Sequence, residues 1–184
     1  MNRGLEGGNA RATGRVVLVG LDGAVLAGED KLAAHEAPGQ LHLAFSVFLY
    51  RPDGKVLLQR RAATKYHFPL HWANACCSHP APGEDVVSAG ERRLVEELGL
   101  ACALTEVGTF VYRAVCPASG LVEHELDHVL VGVTAGEPVP SPVEVDATCW
   151  LLPSQIREGM PAGVHAPWLV RALELAEAAR SGAG

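Results

Sequence analysis

The sequence lacks the segments that mark a membrane-spanning or secreted protein. No apolar run approaches the ~20 residues that a transmembrane helix needs. The N-terminal stretch MNRGLEGGNARATGR is polar and glycine-rich, unlike a signal peptide. The five cysteines are odd in number and irregularly spaced, so we expect free thiols rather than a disulfide framework. These absences predict a cytoplasmic protein in a reducing compartment.

Net positive charge is also missing. The chain has 15 lysines and arginines against 21 aspartates and glutamates, which gives a net charge of -6. This balance does not favour electrostatic capture of nucleic acid or of an anionic membrane, and we expect neither as a partner. If the ligand is an anion, local arginines, lysines or a metal must hold it.

Repeats, linkers and low-complexity tracts are absent as well. The 184 residues, 48% hydrophobic, fit one globular domain over 1–184, of which 1–14 form a loose tail. The patterns predict a hairpin near Asp22, several further strands, a helix over 85–100 and a closing helix that starts near Pro167. This order predicts an α/β (α+β) sandwich, with a mixed sheet flanked by helices.

The first predicted helix crowds arginines and glutamates into one turn. Ion pairs on a solvated face would explain this crowding. The segment also resembles the Nudix signature G-x5-E-x7-R-E-U-x-E-E-x-G-U, where U is aliphatic. The matching positions are Glu84, Arg92, Leu94, Glu96, Glu97, Gly99 and Leu100. Ser78 stands in place of the first glycine, and Arg93 in place of a glutamate. That arginine removes a metal ligand and favours a phosphate instead, so the usual Nudix hydrolysis is not expected.

A second motif, NACCSHP, sets two cysteines ahead of a histidine. By itself it fits half of a metal site, a reactive thiol, a redox pair or core cysteines. In a strand Cys76 and Cys77 face opposite sides, so both cannot line one pocket. Cys76 is interpreted as a core residue.

Histidines and two glutamates suggest a metal site. Glu123 and Glu125 lie two apart in an apparent strand, which puts both carboxylates on one face. Together with His35, His42 and His79 they offer three nitrogen and two oxygen ligands for a first-row divalent metal. Each histidine alone is more often an ordinary core or surface residue, and the spacings match no zinc finger.

From Lys31 to Trp168 the chain resembles type 1 isopentenyl-diphosphate delta-isomerases, which are metal-dependent enzymes of isoprenoid biosynthesis with the Nudix fold. The motifs HLAFSVFLY, NACCSHP, GERRLVEELG, YRA, GLVEHEL and PW occur in the family's order. The resemblance implies a monomer that converts isopentenyl diphosphate to dimethylallyl diphosphate through a tertiary carbocation. It also implies a Nudix-like α/β/α sandwich.

The resemblance implies the site residues too. The catalytic residues are Cys77, Glu125, Tyr112 and Trp168. The buried metal, which is Mn²⁺, Zn²⁺ or Mg²⁺, falls on His35, His42, His79, Glu123 and Glu125. A Mg²⁺ that binds with the substrate diphosphate falls on Glu97, and the diphosphate contacts fall on Lys31, Arg61, Lys65 and Arg93. We expect Glu125 to donate a proton and Cys77 to act as a thiolate base whose pKa is lowered by nearby cations.

The loop before NACCSHP departs from the family pattern. Phe68 stands where we expect tryptophan and Leu70 where we expect glycine. These differences concern lid shape and substrate range, so a relative with another prenyl substrate is an alternative. A Nudix diphosphate hydrolase acting on a nucleotide or prenyl diphosphate and a catalytically silent diphosphate-binding module are further alternatives.

Overall fold

This computed structural model describes residues 14–159 and 164–182. These residues contain nine strands and four helices, joined by loops and turns. The predicted tail lies, but for Gly14, outside the described residues. The strands are β1 (Arg15–Val19), β2 (Val25–Asp30), β3 (His42–Tyr50), β4 (Val56–Arg61), β5 (Trp72–Asn74), β6 (Cys76–Ser78), β7 (Thr105–Val115), β8 (Val122–Val133) and β9 (Val145–Leu151). The helices are α1 (Lys31–His35), α2 (Val86–Leu98), α3 (Pro153–Glu158) and α4 (Leu169–Gly182).

Strand β3 organises the sheet. It pairs in parallel with β8 along its whole length, from His42 opposite Glu125 to Tyr50 opposite Val133. It also pairs antiparallel with β1, β4 and β6, while β7 lies antiparallel on the other side of β8. The mixed sheet predicted from the sequence is therefore confirmed.

Alternate β3 residues face the two sides of this sheet. Val47 and Leu49 pack in one core with α2, whereas Phe48 and Tyr50 pack in a second core with α3 and α4. Period-two burial of large apolar side chains is what a strand covered on both faces requires. The helices therefore flank the sheet on both sides, as the sequence predicts.

Side-chain caps mark the starts of α1 and α2, but only the longer α2 could be predicted from the sequence. Asp85 accepts a hydrogen bond from the Ser88 backbone N–H at the start of α2, and Gly99 ends the helix with a φ of 64°. The five-residue α1 was not predicted, because one turn is too short to show helical periodicity. Asp30 caps it by accepting from the N–H groups of Leu32 and Ala33.

Candidate active site

Strand register brings the first site residues together. Glu125 on β8 lies between His42 on β3 and Tyr112 on β7, its partners in the two ladders. Glu123, two positions earlier, has its side chain at the same cluster. Helix α1 brings His35, and the residue after β6 brings His79. The five residues predicted as metal ligands thus meet, and their ligand atoms lie within 4.8 Å of one another.

The geometry of these five residues fits a metal ion. His35 Nδ1 lies 2.5 Å from the Lys31 carbonyl and His42 Nδ1 lies 2.8 Å from the Gln40 carbonyl. A carbonyl only accepts, so Nδ1 donates in both rings, and in the neutral form each Nε2 presents a lone pair. His42 Nε2 faces His79 Nε2 at 3.1 Å. Two nitrogen lone pairs at this distance require a proton or a cation between them.

The shifted pKa values of the glutamates and of His42 also favour a cation in this cluster. Burial raises the pKa of Glu123, its contacts with His35 and His67 lower it, and the net effect holds it well below the usual range. Burial and the neighbouring Glu123 raise the pKa of Glu125. Burial lowers the pKa of His42, but contact with Glu125 reverses the effect, and the net shift is upward. The two glutamates thus attract positive charge to one buried point.

The proposed catalytic thiol lies beside this cluster. Cys77 donates to Asn74 Oδ1 at 2.9 Å, and Trp168 Nε1–H reaches both Asn74 Oδ1 at 3.1 Å and Cys77 Sγ at 3.2 Å. Cys76 is fully buried in the core with α2, so the two cysteines do face opposite sides. Sequence reasoning missed Asn74, whose only signal was a polar residue within a buried strand.

The expected lowering of the Cys77 pKa is wrong for this pocket. Burial raises it strongly, and the opposing effects of Arg61 and of the Trp168 N–H are smaller. The thiol is therefore the favoured form of Cys77. Tyr112 OH donates to Glu125 Oε2 at 2.5 Å, so these two residues, both implied as catalytic by the resemblance, are in direct contact.

Cations form another wall of the same pocket. Lys31, Arg61, Lys65 and Arg93 all line it. Burial and the charges of the other three cations lower the pKa of Lys31 to about 8. Lys65 and Arg93 both form ion pairs with Glu144, a residue that the sequence did not single out. The four predicted diphosphate contacts are thus gathered at one place.

Glu97, the predicted ligand of a second magnesium, is held by protein groups. It is only 1% exposed, accepts from Arg93 Nη2 at 2.5 Å and from Gln59 Nε2 at 3.3 Å. It is not one of the five residues of the metal cluster. Glu84 is likewise bound to Arg92 at 2.8 Å. The carboxylates of the helix signature are paired with arginines.

The loop that departs from the family pattern lines the pocket with Tyr66 and His67. Leu70 adopts a φ of 60°, the left-handed conformation that suits the glycine expected there. Phe68 also has a positive φ, and its ring meets the Trp168 ring edge-on at 5.6 Å. Trp168 itself is 2% exposed and lies just before α4, not inside the helix. An aromatic wall therefore survives the replacement of the expected tryptophan.

His67, on the same loop, was not assigned a role from the sequence. Its Nδ1 lies 2.5 Å from Glu123 Oε1. The contact joins residues 56 positions apart, and no spacing or motif in the sequence signals it.

Comparison with known proteins agrees with the fold. The family model described as NUDIX domain matches residues 40–172. Two solved structures have the same fold: a Deinococcus radiodurans protein (TM-score 0.65, 19% identity, 91% of this chain and 98% of that chain) and a MutT protein from Methanosarcina mazei (TM-score 0.61, 15% identity, 78% and 96%). This chain is a Nudix-fold protein.

Relatives with higher sequence identity identify the family to which the chain belongs within this fold. The isopentenyl-diphosphate Delta-isomerase of Nocardia farcinica is 54% identical over 154 residues, which cover 82% of this chain and 88% of that protein. The enzyme of that name from Streptomyces griseus is 46% identical over 163 residues, covering 88% and 83%. The chain belongs to the isopentenyl-diphosphate Delta-isomerase family. Among the described residues, no helix has both the length and the apolar character to cross a membrane.

Proposed function

We propose that this protein isomerises isopentenyl diphosphate to dimethylallyl diphosphate in isoprenoid biosynthesis. The observation that carries the proposal is that Cys77 and Glu125 line one pocket together with Trp168 and a set of cations. Relatives at 54% and 46% identity bear the name of this activity. The reaction needs two proton-transfer groups, an anion grip and a dry aromatic wall, and each has a candidate in this pocket.

The proton transfers fall to Glu125 and Cys77. Glu125 gives a proton to C4 of the substrate, the π electrons of the C3–C4 bond form the new C–H bond, and C3 becomes a tertiary carbocation. Cys77 Sγ then takes a proton from C2, and the electrons of that C–H bond form the C2–C3 double bond. After one turnover Cys77 is a thiol and Glu125 a carboxylate, so a proton must return from the sulfur to the carboxylate before the next turnover.

Other side chains orient and protect this chemistry. Tyr112 holds Glu125 Oε2, and Asn74 holds both the Cys77 thiol and the Trp168 ring. The Trp168 π face stabilises the carbocation, an effect worth about 2 kcal/mol or more in a desolvated site. Exclusion of water prevents capture of the cation as an alcohol.

The metal and the diphosphate have separate binding groups. His35, His42, His79, Glu123 and Glu125 would hold Mn²⁺, Zn²⁺ or Mg²⁺. The charge of such an ion would polarise the Glu125 carboxyl and make it a stronger acid. Lys31, Arg61, Lys65 and Arg93 would grip the diphosphate, and the Mg²⁺ that accompanies it would bind Glu97 in place of Arg93, the present partner of that carboxylate. Binding at these groups fixes the alkene between the two proton carriers.

Turnover in D₂O tests the proposal directly. Metal-replete protein, Mg²⁺ and isopentenyl diphosphate should yield dimethylallyl diphosphate that carries deuterium in the methyl group derived from C4. Absence of both product and exchange would refute the isomerase. Release of phosphate or a prenyl monophosphate would support the hydrolase alternative instead, although pairing of the helix carboxylates with arginines does not favour it.

The cellular setting is part of the proposal. All five cysteines are free thiols, in keeping with a reducing, cytoplasmic compartment. We expect a monomer that acts on a small prenyl diphosphate. Light scattering on the purified protein should give a mass near 19.4 kDa; a mass twice this value would contradict the monomer.

A further inference from the structure

The two glutamates of the metal cluster share one arrangement. Glu125 turns Oε1 toward His79 at 2.9 Å, and its Oε2 accepts from Tyr112 OH. Glu123 turns Oε2 toward His35 Nε2 at 3.1 Å, and its Oε1 lies against His67 Nδ1. Each carboxylate therefore has one oxygen in the cluster and one held from outside it.

The direction of the His67 contact is fixed by chemistry. An ionised carboxylate only accepts hydrogen bonds, so His67 Nδ1 carries the proton whether the ring is neutral or charged. His67 Nε2 is buried and has no hydrogen-bond partner within residues 14–159 and 164–182. The ring is 4% exposed. Its one polar contact through a ring nitrogen is therefore the bond to Glu123.

We propose that His67 is a positioning residue that fixes Glu123 as a one-oxygen ligand of the metal. Its N–H occupies Oε1 and leaves Oε2 for the ion, the part that Tyr112 plays for Glu125. Hydrogen bonds from outside a metal site orient the ligands and typically contribute 10- to 100-fold to metal affinity. His67 also lies two residues after Lys65, so it joins the loop of the diphosphate grip to the metal cluster.

Three substitutions separate a donor role from simple packing. Asparagine places its amide nitrogen where Nδ1 lies, glutamine places it near Nε2, and phenylalanine fills the space without a donor. We expect His67→Phe to weaken binding of Mn²⁺, measured by competition with a chelator, by about 10- to 100-fold. His67→Asn should stay within about threefold of the wild type, and His67→Gln should resemble phenylalanine. His71→Phe, on the same loop with its Nδ1 at the Pro69 carbonyl, is the matched control and should leave Mn²⁺ affinity unchanged.

The inference rests on the metal site of the proposed function, and the measurement distinguishes the two. If wild-type protein binds no Mn²⁺, Zn²⁺ or Mg²⁺ at the cluster, the proposed metal site itself fails. If wild-type protein binds Mn²⁺ and His67→Phe binds it equally well, only the positioning role is overturned. Equal losses in the asparagine and phenylalanine variants would also overturn it, as would a fall in the melting temperature of the metal-free phenylalanine variant without a change in affinity.

Discussion

One carboxylate-rich region lines the pocket and a second reaches it through Arg93, and their negative charges are balanced in different ways. In the strand cluster, formed by His35, His42, His79, Glu123 and Glu125, imidazole lone pairs and carboxylate oxygens converge on one point. In the helix cluster, formed by Glu84, Arg92, Arg93, Glu96 and Glu97, each carboxylate is paired with a guanidinium group.

The difference shows how one fold separates two tasks. A site that converges lone pairs without a cation is incomplete and calls for an ion. A site whose carboxylates already bind arginines has less need of one, and its surplus positive surface suits a phosphate. The helix cluster thus keeps the sequence pattern of a metal-binding helix while its ion pairs orient Arg93 at the pocket wall.

The largest expected effect contrasts the two cysteines at the strand cluster. Cys77→Ala removes a proton carrier and should lower kcat by about 10²- to 10⁴-fold, with the fold intact. Cys76→Ala is the matched control, because Cys76 lies in the opposite core and should keep near-normal kcat with a stability loss of about 1 kcal/mol. Steady-state isomerisation assays and thermal melts measure both. Equal kcat values for the two variants would contradict the assignment.

Binding of the metal at the strand cluster should not depend on the carboxylates of the helix cluster. We expect chelation to abolish activity and a divalent ion to restore it. Glu123→Gln should weaken metal binding by at least about 100-fold because it removes a charged ligand. Glu96→Gln, in the helix cluster, should leave affinity for the metal unchanged. Competition with a chelator measures the metal affinity of both variants. An equal loss of affinity in Glu96→Gln and Glu123→Gln would contradict the assignment of the metal to the strand cluster.

Substitution of Arg93 tests how much the stability of the protein depends on the ion pairs of the helix cluster. Arg93→Met leaves the buried Glu97 with Gln59 as its remaining partner at 3.3 Å, and we expect a loss of about 3 kcal/mol in the free energy of unfolding. The double variant Arg93→Met, Glu97→Gln should recover most of this loss. Urea denaturation measures all three proteins. A single variant as stable as the wild type would show that Glu97 does not need the arginine.

The smallest effect expected is a pH dependence of binding. The pKa of Lys31 is about 8, so this lysine loses its charge above pH 8, and the dissociation constant for diphosphate should then rise by up to tenfold per pH unit. Lys31→Arg stays charged and should not show this rise. Binding of inorganic diphosphate to both proteins is measured by calorimetric titration between pH 7 and pH 10. Because the protonation of the ligand affects both proteins equally, the difference between them reports on Lys31. Identical pH dependence in the two proteins would exclude Lys31 as the cause.

Sequence predicted much of this site because its strands are regular. The spacing of Glu123 and Glu125 placed both on one face, and alternation separated Cys76 from Cys77. The histidines could be offered as ligands from the sequence, but only the resemblance distinguished them from ordinary histidines and identified the cations, since no local pattern brings α1, β6 and β8 together. The contacts made by His67, Asn74 and Glu144 were missed, because tertiary packing sets the positions of the loop, the short strand and the turn that carry them. The pKa of Cys77 was misjudged because the depth of burial cannot be read from nearby charges.

The parallel register of β3 and β8 has a consequence for folding. Because side chains alternate along a strand, a slip of one residue would turn Glu123 and Glu125 toward the α2 core and leave His42 without its carboxylate neighbours. A chain in the wrong register therefore cannot assemble the five ligands. Because only correctly aligned molecules would bind the ion tightly, metal binding would shift the folding equilibrium toward the correct strand register.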